Sequence, residues 1–470
     1  MRRFLFSLLT AAAILLSAVQ LSHALNPLVV YTEETAANDD IVRYQTFSSS
    51  WSGENTAVDT NLSGAQQQHV AKSGPFGDKQ VVLFMDSSGS TVRATIFDGT
   101  NWDDGTGSPY GDSKALSSSG IYRAYDAAFE QTSGQLLIVG AGDSYNTIKY
   151  WVWNGTSWVV DGSSYTITNF SNYIYGIKLA SKPNSDQVSL IAVDQNGDVV
   201  GLIWNGDTNA WGNEKKLNSF ASSSYDAIAV EYMQTGTNGG KSLFVWGEDV
   251  ALYGRVWTGS AWDSSGVGGS SWSSNPLYWV DIAADPNSDD ILIGFMDTAK
   301  YIRTLSWDGT ALGSTPRGID TGYGDVSYNQ PFDLIFESAS GHSGHALIVY
   351  SDTTTLRYKT TTSIANNWDA EATVVASSLC YWIDLARTGD GSTIHLAAHK
   401  NVGTSGDTLL AYTWNNSSWT SQGTLEAVLL VNDTTRQYKP FALTVPPPPA
   451  NITQAHYRWR NDDGYEEGGS

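Results

Sequence analysis

The stretch Tyr150–Trp158, YWVWNGTSW, places tryptophans on both sides of Asn-Gly-Thr-Ser. Asn-Gly is a strong signal for a β-hairpin, because both central residues of a type I′ turn take positive φ values that these residues tolerate. The residues before it alternate, as in a half-buried strand. The sequence therefore predicts two antiparallel strands joined by a type I′ turn at Asn154-Gly155.

The same pattern recurs along the chain. Its copies are FDGTNW (Phe97–Trp102), WNGDTNAW (Trp204–Trp211), WTGSAW (Trp257–Trp262), WDGTAL (Trp307–Leu312) and WNNSSW (Trp414–Trp419), with weaker copies that end at Trp51 and Trp368. The closing positions 51, 102, 158, 211, 262, 312, 368 and 419 lie 50 to 56 residues apart. Such a fixed period is the signature of a repeat architecture. The sequence thus contains eight units.

A second marker, an aromatic residue that opens a short apolar strand, follows the same period. It occurs at Tyr125, Tyr175, Tyr225, Trp279, Phe332 and Trp382. Between the two markers lie a dense apolar run, such as QLLIVGA, and an alternating run, such as TIKYWVW. Each unit therefore predicts four antiparallel strands. The predicted fold is all-β, a β-propeller of eight four-stranded blades, with seven blades as the alternative.

The two ends of the chain predict how the ring closes. The segment after residue 24 starts inside a unit and lacks the aromatic-led strand, whereas Tyr438–Val445 supplies one in phase with the repeat. We expect this strand to complete the first blade, so that the propeller covers residues 25–445. Residues 446–470 would be a proline-rich linker and the start of a further module or a tail. Within them, HYRWRNDDG resembles a segment that opens β-rich modules in large secreted bacterial surface proteins.

Residues 1–24 predict a secretory signal peptide. Arg2 and Arg3 precede the apolar run Phe4–Val19, and Ser22-His23-Ala24 offers small residues at the two positions that a signal peptidase reads. The alternative, an uncleaved membrane anchor, has a run that is short for a spanning helix. We therefore expect a secreted or cell-surface protein that is not inserted in the membrane after cleavage.

Charge and cysteine content narrow the function classes. The formal net charge is -22, which disfavours nucleic acids and anionic membranes as partners because both need a positive face. The single cysteine, Cys380, excludes a disulfide framework and is expected to be a buried small residue. The fold must therefore be held together by packing.

Two families resemble these repeats. The WNGTSW turn is similar to the Asp-box turn of sialidase-like propellers, which joins the same two strands, although here Asn or Asp directly precedes Gly. The repeats also resemble, loosely, those of six-bladed fucose-binding lectins, which carry a Trp in each blade and pair it with an Arg and a Glu. The first resemblance supports the fold, and the second implies glycan binding in pockets between blades.

The candidate ligand-binding residues follow from the second resemblance. They are the aromatic residues Trp102, Trp158, Trp211, Trp262 and Trp419 and the recurring basic residues Arg93, Lys149 and Arg303. Exposed aromatic faces could stack on sugar rings. The alternative is that the tryptophans pack between blades and the basic residues form ordinary cross-strand ion pairs with acids that end the second strand, such as Asp297 and Asp352.

Acidic residues near the second marker are candidate metal ligands. Asp126, Asp226 and Asp333 follow the aromatic residue by one position, and Asp281 and Asp384 follow it by two. If this strand is innermost, carboxylates could converge on the central channel and bind Ca²⁺, which takes several oxygen ligands. The irregular spacing argues against this, because adjacent residues of a strand face opposite sides. The alternative is local hydrogen bonding.

No residue is singled out as catalytic. The arginine cluster, Tyr-Glu pair and acid that a sialidase needs are not recognisable, and GHSGH (Gly341–His345) is a weak metal candidate. The sequence favours a non-catalytic binding or display module of a larger surface protein, monomeric, with glycans or other surface proteins as partners. The alternatives are a glycan-binding lectin and, next, a glycoside-active enzyme.

Overall fold

The computed structural model describes residues 25–33, 41–58, 67–85, 91–105, 113–116, 123–219, 226–320, 329–402, 407–429 and 439–447. In these ranges there are 33 β-strands and no helix, so no helix could cross a membrane there. The strands form seven sheets. The predicted signal peptide, residues 448–470 and the strand-opening residues Tyr225 and Tyr438 lie outside the described residues.

The first strands of the chain belong to two sheets. One contains β1 (Leu28–Glu33), β2 (Ile41–Thr46) and β3 (Asn55–Val58). The other contains β4 (Gln67–Ser73), β5 (Gln80–Met85), β6 (Val92–Phe97), β7 (Trp102–Asp103) and β8 (Lys114–Ala115), and both β7 and β8 pair with β6.

Five further sheets each consist of four consecutive strands, and each strand pairs with the next. The first two are β9 (Tyr125–Phe129), β10 (Leu136–Ala141), β11 (Thr147–Trp153) and β12 (Trp158–Thr166), then β13 (Ile174–Ser181), β14 (Gln187–Asp194), β15 (Val199–Asn205) and β16 (Ala210–Asn218). The third is β17 (Ile228–Tyr232), β18 (Ser242–Glu248), β19 (Ala251–Trp257) and β20 (Val267–Ser271). The last two are β21 (Leu277–Ala284), β22 (Ile291–Asp297), β23 (Ile302–Trp307) and β24 (Arg317–Asp320), then β25 (Phe332–Phe336), β26 (Ala346–Asp352), β27 (Thr355–Thr361) and β28 (Ala372–Val375).

The last strands share a sheet with the first. The strands β29 (Cys380–Arg387), β30 (Ile394–Lys400), β31 (Asp407–Trp414) and β32 (Trp419–Leu429) pair in order, and β32 meets β1 through the single pair Glu33 and Leu429. The final strand, β33 (Phe441–Thr444), pairs antiparallel with β1, with Tyr31 opposite Phe441. We call each series of four strand positions a unit; in unit 2 two short strands, β7 and β8, share the fourth position because both pair with β6. Unit 1 is β33 with β1–β3, unit 2 is β4–β8, units 3 to 7 are the five sheets above, and unit 8 is β29–β32.

The innermost strands of the units contact one another in a closed cycle. The cycle runs β4, β9, β13, β17, β21, β25, β29, β33 and back to β4. The last strand of the described residues, β33, therefore takes the innermost position of unit 1, as predicted for this segment. This propeller-like arrangement confirms the all-β prediction and the four-stranded antiparallel repeat.

Burial follows the strand order within a unit. The second strands β5, β10 and β22 are buried along their whole length, because neighbouring units cover both of their faces. The fourth strand β12 alternates between exposed and half-buried residues, as expected at the outer edge. Cys380 at the start of β29 is fully buried, as predicted, and burial raises the pKa of its thiol to about 12.

Candidate functional site

The WNGTSW turn is a hairpin, but of another kind than the sequence predicted. Trp153 pairs with Trp158, so four residues form the loop. Only Gly155 has a positive φ, at 97°, whereas Asn154 does not. The side-chain oxygen of Asn154 instead accepts the N–H groups of Thr156 at 3.1 Å and Ser157 at 2.9 Å. The predicted two-residue type I′ turn is therefore wrong, and Asn154 serves as a side-chain acceptor.

Other copies of the turn use the same bonds. The side chains of Asp98, Asp308 and Asn415 each accept the N–H groups of the residues two and three positions further on. The residue after the acceptor again has a positive φ, in Gly99, Gly309 and Asn416. The repeat therefore conserves an acceptor side chain followed by a left-handed residue, and this requirement explains the turn without a ligand.

The five tryptophans predicted to bind ligand face the protein. Trp102 is only 4% exposed, and Trp158, Trp211, Trp262 and Trp419 are half-buried. The indole N–H of Trp158 donates to the carbonyl of Asp104 at 3.0 Å, and that of Trp262 donates to the carbonyl of Asn213 at 2.7 Å. Both acceptors belong to the preceding unit. These side chains thus fill the space between units.

In three units the tryptophan that opens the turn donates a hydrogen bond to a side chain of the preceding unit. The indole N–H of Trp204 donates to the carboxylate of Glu130 at 2.8 Å, and that of Trp414 donates to the carboxylate of Glu337 at 2.6 Å. Trp257 donates to the side-chain oxygen of Gln187 at 2.9 Å. In each case the acceptor lies in the preceding unit, so these bonds connect neighbouring sheets.

The predicted basic residues lie at the opposite end of the third strand from the tryptophans. Lys149 is near the start of β11 and four residues before Trp153, a separation of about 13 Å along a strand. Its ammonium pairs with Asp143 at 2.5 Å, and Arg303 pairs with Asp297 at 2.8 Å. Arg93 occupies the corresponding position on β6 and is half-buried. The structure therefore does not bring the predicted tryptophans and basic residues of one unit together.

Two units carry an equivalent polar cluster. In unit 1 the guanidinium of Arg43 lies 2.7 Å from Glu33 and 3.4 Å from Glu54, and Tyr31 donates to Glu54 at 2.9 Å. In unit 7 the corresponding residues are Arg357, Asp352, Glu371 and Tyr350, with Arg357 2.8 Å from Asp352 and 2.5 Å from Glu371. Burial, Glu54 and Glu371 together raise the pKa of both tyrosines, since a phenolate beside a carboxylate is unfavourable.

The innermost strands enclose a central cavity of about 290 Å³. Three of the predicted metal ligands line it, namely Asp126, Asp281 and Asp384, whereas Asp226 does not. Asp333 belongs to the same group of interacting carboxyl groups, because Asp281 and Asp384 both help to raise its pKa. Asp126, Asp281 and Asp384 therefore converge on one cavity, with Asp333 beside them. Metal binding by these acids stays a prediction.

Four of the acids occupy the same register position in their units, although their distance in sequence from the aromatic residue differs. Asp126, Asp281, Asp333 and Asp384 each pair with the fourth residue of the second strand of their unit, namely Val139, Gly294, Val349 and Ala397. Trp279 and Trp382 lie opposite the sixth residue of that second strand, whereas Tyr125 and Phe332 lie opposite the fifth. The acids are therefore equivalent positions, and the aromatic residues are not.

The oxygen atoms of these carboxylates already accept several hydrogen bonds from the protein. Asp126 accepts the N–H groups of Ala127 and Leu179, each at 2.8 Å, and Asp384 accepts the N–H of Leu443 at 3.1 Å. Asp281 accepts the N–H of Ile282 at 2.8 Å and the amide of Gln330 at 2.7 Å. The donors leave few oxygen lone pairs for a metal ion.

Cations of the chain also enter the cavity. The ammonium of Lys178 lies 2.7 Å from Asp226, that of Lys72 lies 3.6 Å from Asp126, and Lys439 bonds to Asp384. Burial lowers the pKa of Lys178, but the charge of Asp226 and its hydrogen bond outweigh that effect and raise it. Sequence reasoning missed these lysines because no repeated position carries them. Their ammonium groups place positive charge at the predicted Ca²⁺ site. Binding of Ca²⁺ there stays a prediction.

A second cavity, of about 230 Å³, lies between units 6 and 7. Hydroxyl groups and a guanidinium line it, from Thr304, Ser306, Ser314, Thr315 and Arg317, and Ile364 adds an apolar surface. The guanidinium of Arg317 donates to the carbonyl of Ala365 at 3.3 Å, and the indole N–H of Trp368 donates to Thr304 at 2.8 Å. The pocket is thus formed by two units that hydrogen-bond across it.

Comparisons with known proteins show the fold. No family model matches the chain, and no curated protein matches it. Among solved structures, the BP39L lectin from Burkholderia pseudomallei is similar, with 13% identity and a TM-score of 0.54 over 76% of this chain and 98% of the lectin. The lectin from Aleuria aurantia, described as a six-bladed β-propeller with fucose recognition, has 12% identity and a TM-score of 0.40 over 78% of this chain and 98% of that one. The propeller domain of the Pyrococcus furiosus Trilobed protease has 10% identity and a TM-score of 0.42 over 76% and 98%.

Proposed function

We propose that the chain is a secreted, eight-bladed β-propeller that binds glycans without catalysis, as one module of a longer cell-surface protein. The closed cycle of eight innermost strands supports the number of blades. The leader-like residues 1–24 support secretion. Solved structures of similar fold include lectins, and their names suggest carbohydrates as the class of ligand to test.

One observation carries the glycan proposal, namely the cavity between units 6 and 7. Its volume of about 230 Å³ can accept part of a sugar ring. Its hydroxyl groups can donate to and accept from sugar hydroxyls, and Arg317 can donate to them. Ile364 gives the apolar surface that a sugar's C–H face needs. A concave, pre-formed site with a few fixed polar groups is typical of a small-ligand pocket.

A glycan array probed with the purified full-length chain tests this proposal. We expect selective binding, and we expect Arg317→Ala to weaken it about tenfold or more, since a hydrogen bond from a charged donor contributes about 1.5–3 kcal/mol. Arg255→Ala is the matched control. Arg255 pairs with Asp263 within unit 5, and neither residue lines the pocket. If the wild type binds a glycan and Arg317→Ala binds it equally well, this pocket is excluded as the binding site. An array without signal would exclude the lectin function.

The second candidate is a display module that binds other surface proteins. The equivalent Tyr-Arg-acid clusters of units 1 and 7 favour it, because their charged groups are already paired with one another and are partly exposed. Such pairs can set the orientation of a protein partner. A silent glycan array together with a partner captured by the native chain and released by Arg43→Ala would support this function.

A further inference from the structure

The turn between β25 and β26 brings two histidines to a buried carboxylate. Glu337 directly follows β25 and is only 3% exposed. Its N–H donates to the carbonyl of His345 at 2.9 Å, which closes the turn, and Gly341 and Gly344 have φ values of 86° and 77°. The backbone therefore folds back so that His342 and His345 face the side chain of Glu337.

The three side chains offer ligand atoms at short range. His342 Nδ1 lies 2.5 Å from Glu337 Oε2, and His345 Nδ1 lies 3.7 Å from the same oxygen. One ligand atom from each of the three residues lies within 4.8 Å of the others. Ligand atoms of a tetrahedral zinc site, with bonds of about 2.0–2.2 Å, lie roughly 3.3–3.5 Å apart. Small side-chain movements would therefore reach that geometry.

The other oxygen of Glu337 is already fixed. Oε1 accepts the indole N–H of Trp414 at 2.6 Å. Unit 3 has the same arrangement, in which Glu130 accepts from Trp204 at 2.8 Å, but there the second oxygen accepts the hydroxyl of Ser133 at 2.6 Å. The carboxylate thus has a structural role in both units, and the two imidazoles are an addition in unit 7. The Trp414 bond would orient Glu337 as a ligand, as outer-shell partners do at metal sites.

We propose that Glu337, His342 and His345 form a binding site for a divalent transition-metal ion, with Zn²⁺ as the representative ion. Imidazole nitrogen and carboxylate oxygen are common zinc ligands, and three protein ligands leave a fourth position for water. The side chains of His342 and His345 are 30% and 27% exposed, so an ion can enter from solvent. The site is independent of glycan binding, because it lies outside the cavity between units 6 and 7.

Calorimetric titration of the untagged, chelator-treated chain with ZnCl₂ tests the proposal. We expect one ion per chain, and at least tenfold weaker binding for His342→Ala, His345→Ala and Glu337→Gln. Glu337→Gln keeps an oxygen for Trp414 but removes the anionic ligand. His456→Ala, a histidine outside this turn, should leave the affinity unchanged.

Two further measurements separate metal binding from folding. Thermal unfolding without metal gives the baseline of each variant: His342→Ala should unfold at a lower temperature because it loses the bond to Glu337, whereas His345→Ala, whose ring nitrogen lies 3.7 Å from the carboxylate, should stay close to the wild type. With excess Zn²⁺, only the wild type and His456→Ala should gain stability, since a ligand of the folded state raises its unfolding free energy. A titration without saturable binding, or one that both histidine variants leave intact, would overturn the proposal.

Discussion

Asp333 on β25 accepts the backbone N–H of Leu385, on the innermost strand of the next unit, at 2.6 Å. Its other oxygen accepts the N–H of Leu334, also at 2.6 Å. Asp126 and Leu179 repeat this relationship between units 3 and 4, and Asp384 and Leu443 repeat it between units 8 and 1. These carboxylates thus link consecutive units around the channel.

We expect Asp333→Ala to destabilise the fold by at least about 2 kcal/mol, because each buried N–H that loses its acceptor costs about 1–3 kcal/mol. Denaturant unfolding measures the change. Asp369→Ala removes an exposed aspartate and should change the stability by less than about 0.5 kcal/mol. Equal effects of the two substitutions would show that the hydrogen bonds of Asp333 contribute nothing to the stability of the fold.

Trp204 and Trp307 occupy the same repeat position and are both fully buried, but only Trp204 donates to a carboxylate. Within the described residues, the indole nitrogen of Trp307 has no hydrogen-bond partner. We therefore expect Trp204→Phe to cost about 1–3 kcal/mol more than Trp307→Phe, since it removes the indole donor from Oε1 of Glu130. Thermal or urea unfolding of the two variants gives this difference, and a larger loss for Trp307→Phe would contradict the role of the Glu130 bond.

Gly155 and Gly212 offer a matched test of the turn. An added Cβ would meet nothing within 4 Å at either position, but only Gly155 has a positive φ. Gly155→Ala should therefore destabilise by about 1–2 kcal/mol, the cost of a left-handed conformation for a residue with a Cβ. Gly212→Ala should be neutral or slightly stabilising. Unfolding midpoints of both variants check this, and equal midpoints would count against the turn geometry.

Glu231 gives a pH-dependent expectation. Burial raises the pKa of its carboxyl group from 4.5 to about 7, partly offset by the N–H of Tyr232 and by Lys72. The folded state therefore holds this proton to higher pH than the unfolded state, so its contribution to stability falls as pH rises between about 4.5 and about 7. The stability of Glu231→Gln relative to the wild type should increase across this window and then level off. Melting curves from pH 4 to pH 8 measure it, and a constant difference would disprove it.

The repeat, the hairpin positions and the closing strand could be predicted because each leaves a local signal. Asn or Asp before Gly marks four of the clear turns, those of FDGTNW, WNGTSW, WNGDTNAW and WDGTAL, and alternation marks the third strand. The turn type could not be predicted, because Asn154-Gly155 satisfies two different loops, and the choice depends on whether Asn154 uses its backbone or its side chain.

The candidate sites were harder to predict, because their parts come from different repeats. The cavity between units 6 and 7 joins Thr304 and Arg317 to Ile364, and no sequence spacing relates these residues. The equivalence of Asp281 and Asp384 to Asp126 was hidden because Trp279 and Trp382 stand one register position earlier in their strands than Tyr125 does. GHSGH was visible, but its carboxylate partner Glu337 directly follows the preceding strand and is identified only by the turn that returns to it.

The pairing of β33 with β1 has a consequence for biosynthesis. About four hundred residues separate these partners in the chain. A polypeptide synthesised from its N-terminus must therefore keep β1 without its inner neighbour until β33 has been made. An early stop in translation would leave that edge open to association with other chains, whereas arrival of Phe441–Thr444 ends this exposure and marks the completion of folding.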